Sequence, residues 1–486
     1  MALLVVKTKY GVVRGIPSEK NAKHSIFRKI PFAKPPVGEL RFAAPQEPDC
    51  WEGVLLCDRL PAACIQHKHP GQNFEVSEDS LYLNVFTPAE SAEEKLPVLF
   101  WIYGGGFTGG YSGEAEFDGE AINQRKAILV TVNYRLGALG YFSIPELREK
   151  NGFAGNVGLL DQIAALKWVQ ENIESFGGDP ERVMIFGQSA GGMSVRMLLT
   201  SPLTEGLFSR AVPESGGGLN EGDRVRTRED FEGLCRKSME HLGWTFEDIM
   251  TRDAMEVNEE LNRVVREIAP THEVGYFQPF VDGYTLTDVP GVKIAKGEFR
   301  DMPVMVASVA GDSWMFSRNV RSQLEGNPNY FRAFSYSPSQ AWAQNQIENG
   351  GRTLYAFWLD KKQPEKDRGY SHGQPPYGSW APHGSEIGYV FGTLQERGLP
   401  FDDSDVEISN ILTQYWVNFA ATGDPNGEGL PKWTKYTKEE PLTMHVGDEG
   451  CKMEQIVLTE DEQHVLDYTK AHPGMLCDLE GFFPEN

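Results

Sequence analysis

Three observations predict an α/β fold, with a mostly parallel sheet flanked by helices. Residues 80–215 alternate strand-like apolar runs with helix-periodic ones, as strands joined by helical crossovers do. The strand-like run 182–186 passes through Gly187-Gln188-Ser189-Ala190-Gly191 straight into the helix-like run 193–199. A second buried-strand run, 97–103, is followed at once by Gly104-Gly105-Gly106-Phe107.

The elements follow in order. Residues 1–60 read as short antiparallel strands and turns, with 2–6 as the first edge strand. Strands are expected at 81–87, 97–103 and 127–134, a helix at 156–175, a strand at 182–187, a helix at 190–200 and a strand at 208–214. Late strands are expected at 303–309 and 352–359, and a helix over 405–422. A charged, helix-periodic stretch around 222–275 and a second helical stretch around 320–380 read as insertions walling a pocket. No linker, repeat or low-complexity run divides residues 1–486, which are expected to form one domain.

Composition narrows the function. An apolar content of 40% suffices for a large core. The net charge of −23 argues against nucleic acid and anionic membrane surfaces as partners. No apolar stretch is long enough to span a bilayer, so membrane insertion is not expected. The six cysteines show no CxxC spacing, and His67 and His69 lie in a solvated loop, so no metal or cofactor is expected. Cysteine usage and a short, Lys7-interrupted N-terminal apolar run point to a cytoplasmic protein, with secretion left open if a signal has been removed. Oligomeric state is not readable.

The chemistry lies in the two glycine-rich turns. A serine between small residues on a strand-to-helix turn has its backbone strained and its hydroxyl held clear, the geometry of a nucleophile elbow. The helix that starts there turns its N–H groups toward any oxyanion formed nearby. A glycine loop after an early strand lets backbone N–H groups approach the same oxygen.

Longer matches carry a resemblance. These are Ile30-Pro31-Phe32-Ala33-Lys34-Pro35-Pro36-Val37-Gly38, Ser77-Glu78-Asp79-Ser80-Leu81-Tyr82-Leu83-Asn84-Val85, Val132-Asn133-Tyr134-Arg135-Leu136-Gly137, Gly155-Asn156-Val157-Gly158-Leu159-Leu160-Asp161-Gln162 and Phe176-Gly177-Gly178-Asp179-Pro180. With the elbow, they make nearly the whole chain resemble the type B carboxylesterases, a branch of the α/β-hydrolases that includes bacterial p-nitrobenzyl esterases. The resemblance implies a serine ester hydrolase with an α/β-hydrolase fold and a small-molecule ester as its partner.

It also implies roles, residue by residue. Ser189 is the nucleophile. His383, in Ala381-Pro382-His383-Gly384-Ser385-Glu386, matches the family's histidine segment; His372 is its rival. The acid falls on Asp312 when Phe316 is aligned with the family phenylalanine, in place of the usual glutamate. Asp282 and Glu386 stand as alternatives. The N–H groups of Gly105, Gly106 and Ala190 form the oxyanion hole. Ser215 is expected to brace the acid, and Gln188 to lie beside the site. Arg41 with Glu78, and Arg135 with Asp161, match structural ion pairs. Ser80 replaces a family cysteine that would pair near Cys64; Cys50 and Cys57 lie close enough to pair.

Substrate signals are sparse. Relatives selective for cations carry glutamate where this chain has Gln188, and the short loop 64–80 lacks tryptophan, which disfavours choline esters. Phe107, Trp314 and Phe316 are expected to line an apolar pocket, with Phe277, Phe280 and Trp380 near it. Small to medium uncharged alkyl or aryl esters fit these features. Amides, carbamates or lactones on the same machinery remain alternatives, as does a non-catalytic binding module.

Overall fold

The structure is a computed structural model that describes residues 1–68, 72–220, 226–269, 277–312, 328–349, 353–364 and 381–474. Its strands are β1 (Val5–Lys7), β2 (Val12–Arg14), β3 (Ile16–Pro17), β4 (Ser25–Pro31), β5 (Val54–Leu56), β6 (Tyr82–Thr87), β7 (Leu96–Ile102), β8 (Ile128–Val132), β9 (Gly178–Gln188), β10 (Arg210–Glu214), β11 (Val304–Val309), β12 (Leu354–Leu359), β13 (Thr443–Gly447) and β14 (Gly450–Glu454). Among the described residues, eleven of them form one sheet in the order β14-β13-β12-β11-β10-β9-β7-β8-β6-β4-β3. From β8 to β13 every neighbouring pair is parallel. The pairs β3–β4, β4–β6, β6–β8 and β13–β14 are antiparallel and close the two sides.

The sequence explains this arrangement. Strands β7, β8, β11 and β12 are apolar but for Thr131 and Ser308 and are buried at every residue, because helices cover both faces of a parallel sheet. The helices Val157–Asn172, Ala190–Thr200 and Asp403–Thr422 pack on it. Strand β9 is longer than expected, starting at Gly178 rather than 182. The β13–β14 hairpin, whose strands carry only isolated apolar residues such as Met444, Val446, Cys451 and Met453, escapes sequence reading altogether. The first strands make a separate sheet, β1-β2-β5, in which β2–β5 is parallel rather than antiparallel.

In the stretch expected as the first insertion lie the helices Arg228–Leu242, Phe246–Thr251 and Ala254–Ile268; in the second lies Pro328–Glu348. Both expected ion pairs form. Arg41 meets Glu78 through two bonds of 2.7 and 2.8 Å and also donates to the carbonyls of Ile249 and Arg252, tying the first insertion to the N-terminal segment. Arg135 meets Asp161 through bonds of 2.8 and 2.7 Å in the core. The cysteines Cys50, Cys57, Cys64, Cys235 and Cys451 are all free, so Cys50 and Cys57 do not pair. Ser80 Oγ lies 3.0 Å from Cys64 Sγ. Among the described residues, no helix is long and apolar enough to cross a membrane.

Candidate active site

The carboxyl ends of four adjacent parallel strands build the site, where open α/β sheets place their ligand crevices. The register aligns Ile102 with Gly187, Gln188 with Glu214, and Glu214 with Ala307. The turns leaving β7, β9, β10 and β11 therefore emerge side by side. They carry Gly104–Gly106, Ser189, Ser215 and Asp312.

Ser189 has φ 57° and ψ −125°, a conformation that a residue with a side chain holds only under constraint. The constraints are visible. Its N–H donates to the Glu214 carbonyl at 3.0 Å, and its own carbonyl accepts from Met193 N at 2.8 Å. Gly191 must be glycine, since a Cβ there would stand 2.0 Å from the Ile102 carbonyl oxygen. Ala190 opens the helix Ala190–Thr200, whose first N–H groups have no intrahelical acceptor. The glycine loop lies directly against the Ser189 turn: a Cβ on Gly104 would come 2.9 Å from Ser189 Cβ. Gly105 and Gly106 follow with φ of 110° and 61°, and the loop is closed by Thr108 N and Gly109 N on the Gly105 carbonyl.

His383 Nδ1 lies 2.7 Å from Asp312 Oδ1, while Asp312 Oδ2 accepts from Val309 N at 3.0 Å. The backbone brings the two together. Gly311 and Pro382 form a parallel bridge, and Gly311 N donates to the Ala381 carbonyl at 2.8 Å. Burial pushes the His383 pKa down, but the hydrogen bond and charge of Asp312 outweigh it, and the net shift is upward. On its Nε2 side the ring meets Gln188 Nε2 at 3.1 Å.

Some expectations need correction. Ser215 does not direct its hydroxyl to Asp312; it donates to Glu386 Oε1 at 3.1 Å, because Glu386 begins the helix Glu386–Phe391 beneath the histidine turn. Asp282, an alternative acid, has Oδ1 occupied by the N–H groups of Tyr284, Thr285 and Leu286, a local turn. Phe107 is fully buried, its ring edge-on to Tyr141, so it is core rather than pocket wall. Phe277 and Phe280 are equally buried, and both pack on Phe231. Trp314, Phe316, His372 and Trp380 lie outside the described residues.

Two supports were invisible in the sequence. Arg397 donates to the Gly384 carbonyl at 2.6 Å and to Glu116 Oε1 at 2.7 Å, bracing the turn that carries His383. Glu116 and Arg397 are 281 positions apart, beyond any local pattern. Beneath the site, Glu214 and Glu386 are both buried; Trp416 Nε1 donates to Glu214 Oε1 at 2.7 Å. Burial and then each one's acidic neighbour, Glu386 for Glu214 and Asp312 for Glu386, raise both pKa values.

This sheet, with a strained serine and a partly buried imidazole–carboxylate pair at its carboxyl edge, defines an α/β-hydrolase fold. The family model described as "Carboxylesterase family" matches residues 2–368 and 331–465, and the chain belongs to that family. The chain is 33% identical to the para-nitrobenzyl esterase of Bacillus subtilis, over 92% of this chain and 95% of the relative. It is 32% identical to the fumonisin B1 esterase of Sphingopyxis macrogoltabida, over 90% of this chain and 85% of the relative. Among solved structures, a thermophilic PNB esterase superposes with a TM-score of 0.81 at 31% identity, covering 95% of this chain and 99% of that one. The carboxylesterase Est55 of Geobacillus stearothermophilus gives 0.75 at 29% identity, over 93% and 97%. The protein is an ester-hydrolysing enzyme.

Proposed function

We infer that the enzyme cleaves small to medium uncharged alkyl or aryl esters through an acyl-enzyme on Ser189. His383 acts as general base and acid, and Asp312 holds it. The observation that carries this reading is the 2.7 Å contact of His383 Nδ1 with Asp312 at the strand edge that also holds the strained Ser189. Ser189 Oγ attacks the ester carbonyl carbon as its proton passes to His383 Nε2. The tetrahedral oxyanion is received by the N–H groups of Gly105, Gly106 and Ala190, each worth about 3 kcal/mol of barrier. Collapse expels the alcohol, which takes the proton from Nε2. Water then enters by the same route and releases the carboxylic acid. Asp312, held at Nδ1, stabilises the imidazolium without taking its proton.

The uncharged-substrate reading is supported by the neutral Gln188 beside the ring and by a relative named for a para-nitrobenzyl ester. A cytoplasmic location is supported by the free cysteines and by Ser80, not cysteine, facing Cys64; fractionation of the native host that finds the protein outside the cytoplasm would refute it. Kinetics on p-nitrophenyl esters of increasing acyl length, with matched anilides and a choline ester, test the substrate class. Short and medium esters should turn over best. Preference for the anilides or for the choline ester would overturn the reading.

A further inference from the structure

Gln188 meets the reacting nitrogen of the imidazole itself. It is 5% exposed and ends β9, immediately before Ser189. Its side chain fills a slot between two glycines: a Cβ on Gly104 would lie 3.1 Å from Oε1, and one on Gly384 would lie 3.5 Å from Nε2. From that slot the amide nitrogen reaches to 3.1 Å from His383 Nε2. The opposite ring nitrogen faces a carboxylate, which only accepts, so Nδ1 carries the proton. The neutral ring then offers a lone pair at Nε2, and the group facing it must donate. That lone pair is the one that receives the Ser189 proton.

We propose that Gln188 is a positioning residue for His383, its amide occupying Nε2 in the resting enzyme and yielding that nitrogen to Ser189 when substrate binds. This rests on the assignment of Ser189 and His383 given above. A glutamine suits the task because its amide carries a donor and an acceptor at the same reach. While the ring is neutral, the NH₂ group donates. Once Nε2 has taken the proton from Ser189 Oγ, a half-turn of the amide offers Oε1 to the imidazolium until the alcohol leaves with that proton. No proton enters or leaves Gln188. A glutamate in the same slot only accepts, and favours the charged ring.

The other charged groups around the ring lie elsewhere. Asp312 is at Nδ1; Glu386, with Glu214 behind it, is on the following helical turn; Arg397 is held by Glu116 and the Gly384 carbonyl. Among the described residues, the side chain that meets Nε2 is Gln188.

The test uses the full-length enzyme with ¹⁵N-labelled histidine, the His383 signals being assigned by their loss in His383→Ala. At a pH where the ring is neutral, Ser189→Ala should leave the Nε2 resonance in place, and Gln188→Met should move it toward the position of a lone pair without a donor. The reverse pattern would overturn the proposal. These readings need no turnover, so they stand apart from the nucleophile assignment, which residual hydrolysis by Ser189→Ala would defeat on its own. In addition, Gln188→Glu should raise the His383 titration midpoint and the acidic limb of kcat/KM by about one pH unit, with a much smaller shift in Gln188→Met. Equal midpoints in the parent and Gln188→Glu would equally overturn it.

Discussion

Asp312 and His383 stand 71 positions apart in the chain, yet Asp312 Oδ1 lies 2.7 Å from His383 Nδ1. In the proposed triad the acid is an aspartate, one methylene shorter than glutamate, and the backbone makes up the reach. The bridge between Gly311 and Pro382 draws the acid loop against the histidine loop. If Asp312 fixes the imidazole tautomer, Asp312→Asn should lower kcat by about 10⁴-fold with the fold intact. Asp312→Glu should keep partial activity, since the charge survives and only the reach changes. Steady-state kinetics with circular dichroism on each variant check this; near-parental turnover by Asp312→Asn would place the acid elsewhere.

The strap itself is testable. A Cβ on Gly311 would come 2.6 Å from the Ala381 carbonyl oxygen, a backbone atom with little freedom to move. Gly311→Ala should therefore spread the two loops and cost about 10²-fold in kcat, with KM changed far less, because a misplacement of about 1 Å is enough for that. An unchanged kcat would mean that the loops tolerate separation.

The pH profile follows from the sign of the His383 shift. In the proposed mechanism the ring serves as base only when neutral, and Asp312 raises its pKa despite burial. Activity should be absent well below that pKa and appear as pH rises through it, with the midpoint of kcat/KM above the ordinary imidazole value of about 6.5. Asp312→Asn should move the midpoint down. Measurement of kcat/KM across the acidic range decides both points.

Glu214 and Glu386 predict a stability effect separate from catalysis. Burial, and then the charge of Asp312, push the Glu386 pKa up to about 7, and Glu214 is raised in the same direction. The folded chain thus holds these protons more tightly than the unfolded one, whose glutamates titrate near 4.3. The stability this confers is full below the unfolded value and is lost as pH rises toward 7. Glu386→Gln, which keeps an acceptor for Ser215, should flatten that decline by about 1–3 kcal/mol. Denaturant unfolding of parent and variant between pH 5 and 8 reads the difference.

Much of this was legible in the sequence, for identifiable reasons. Parallel central strands are continuous apolar runs, and the elbow packs strand, turn and helix into one short stretch, so β7, β9 and the helix Ala190–Thr200 stood out to within a few residues. Motifs singled out Ser189, His383 and Asp312, and the structure places Asp312 and His383 in contact and Ser189 in a strained turn at the same sheet edge. What stayed hidden depends on long-range packing. The Phe107 ring looked like pocket wall because it follows the glycine loop, but its φ of 59° accompanies a ring turned into the core against Tyr141. Ser215 follows β10 beside the acid strand, yet only the tertiary placement of the helix Glu386–Phe391 shows that Glu386 receives its hydroxyl. The clamp of Arg397 on the Gly384 carbonyl has no local signature.

The central claim is that Ser189 forms the acyl-enzyme, and the most direct measurement is paired on one variant. Purified Ser189→Ala is assayed for p-nitrophenyl ester hydrolysis and for covalent labelling by an organophosphonate, with thermal unfolding to show that it is folded. Parental unfolding, no phosphonate adduct by intact mass and no turnover above the uncatalysed rate are expected. A folded Ser189→Ala that still takes up phosphonate or releases p-nitrophenol at an appreciable rate would contradict that claim.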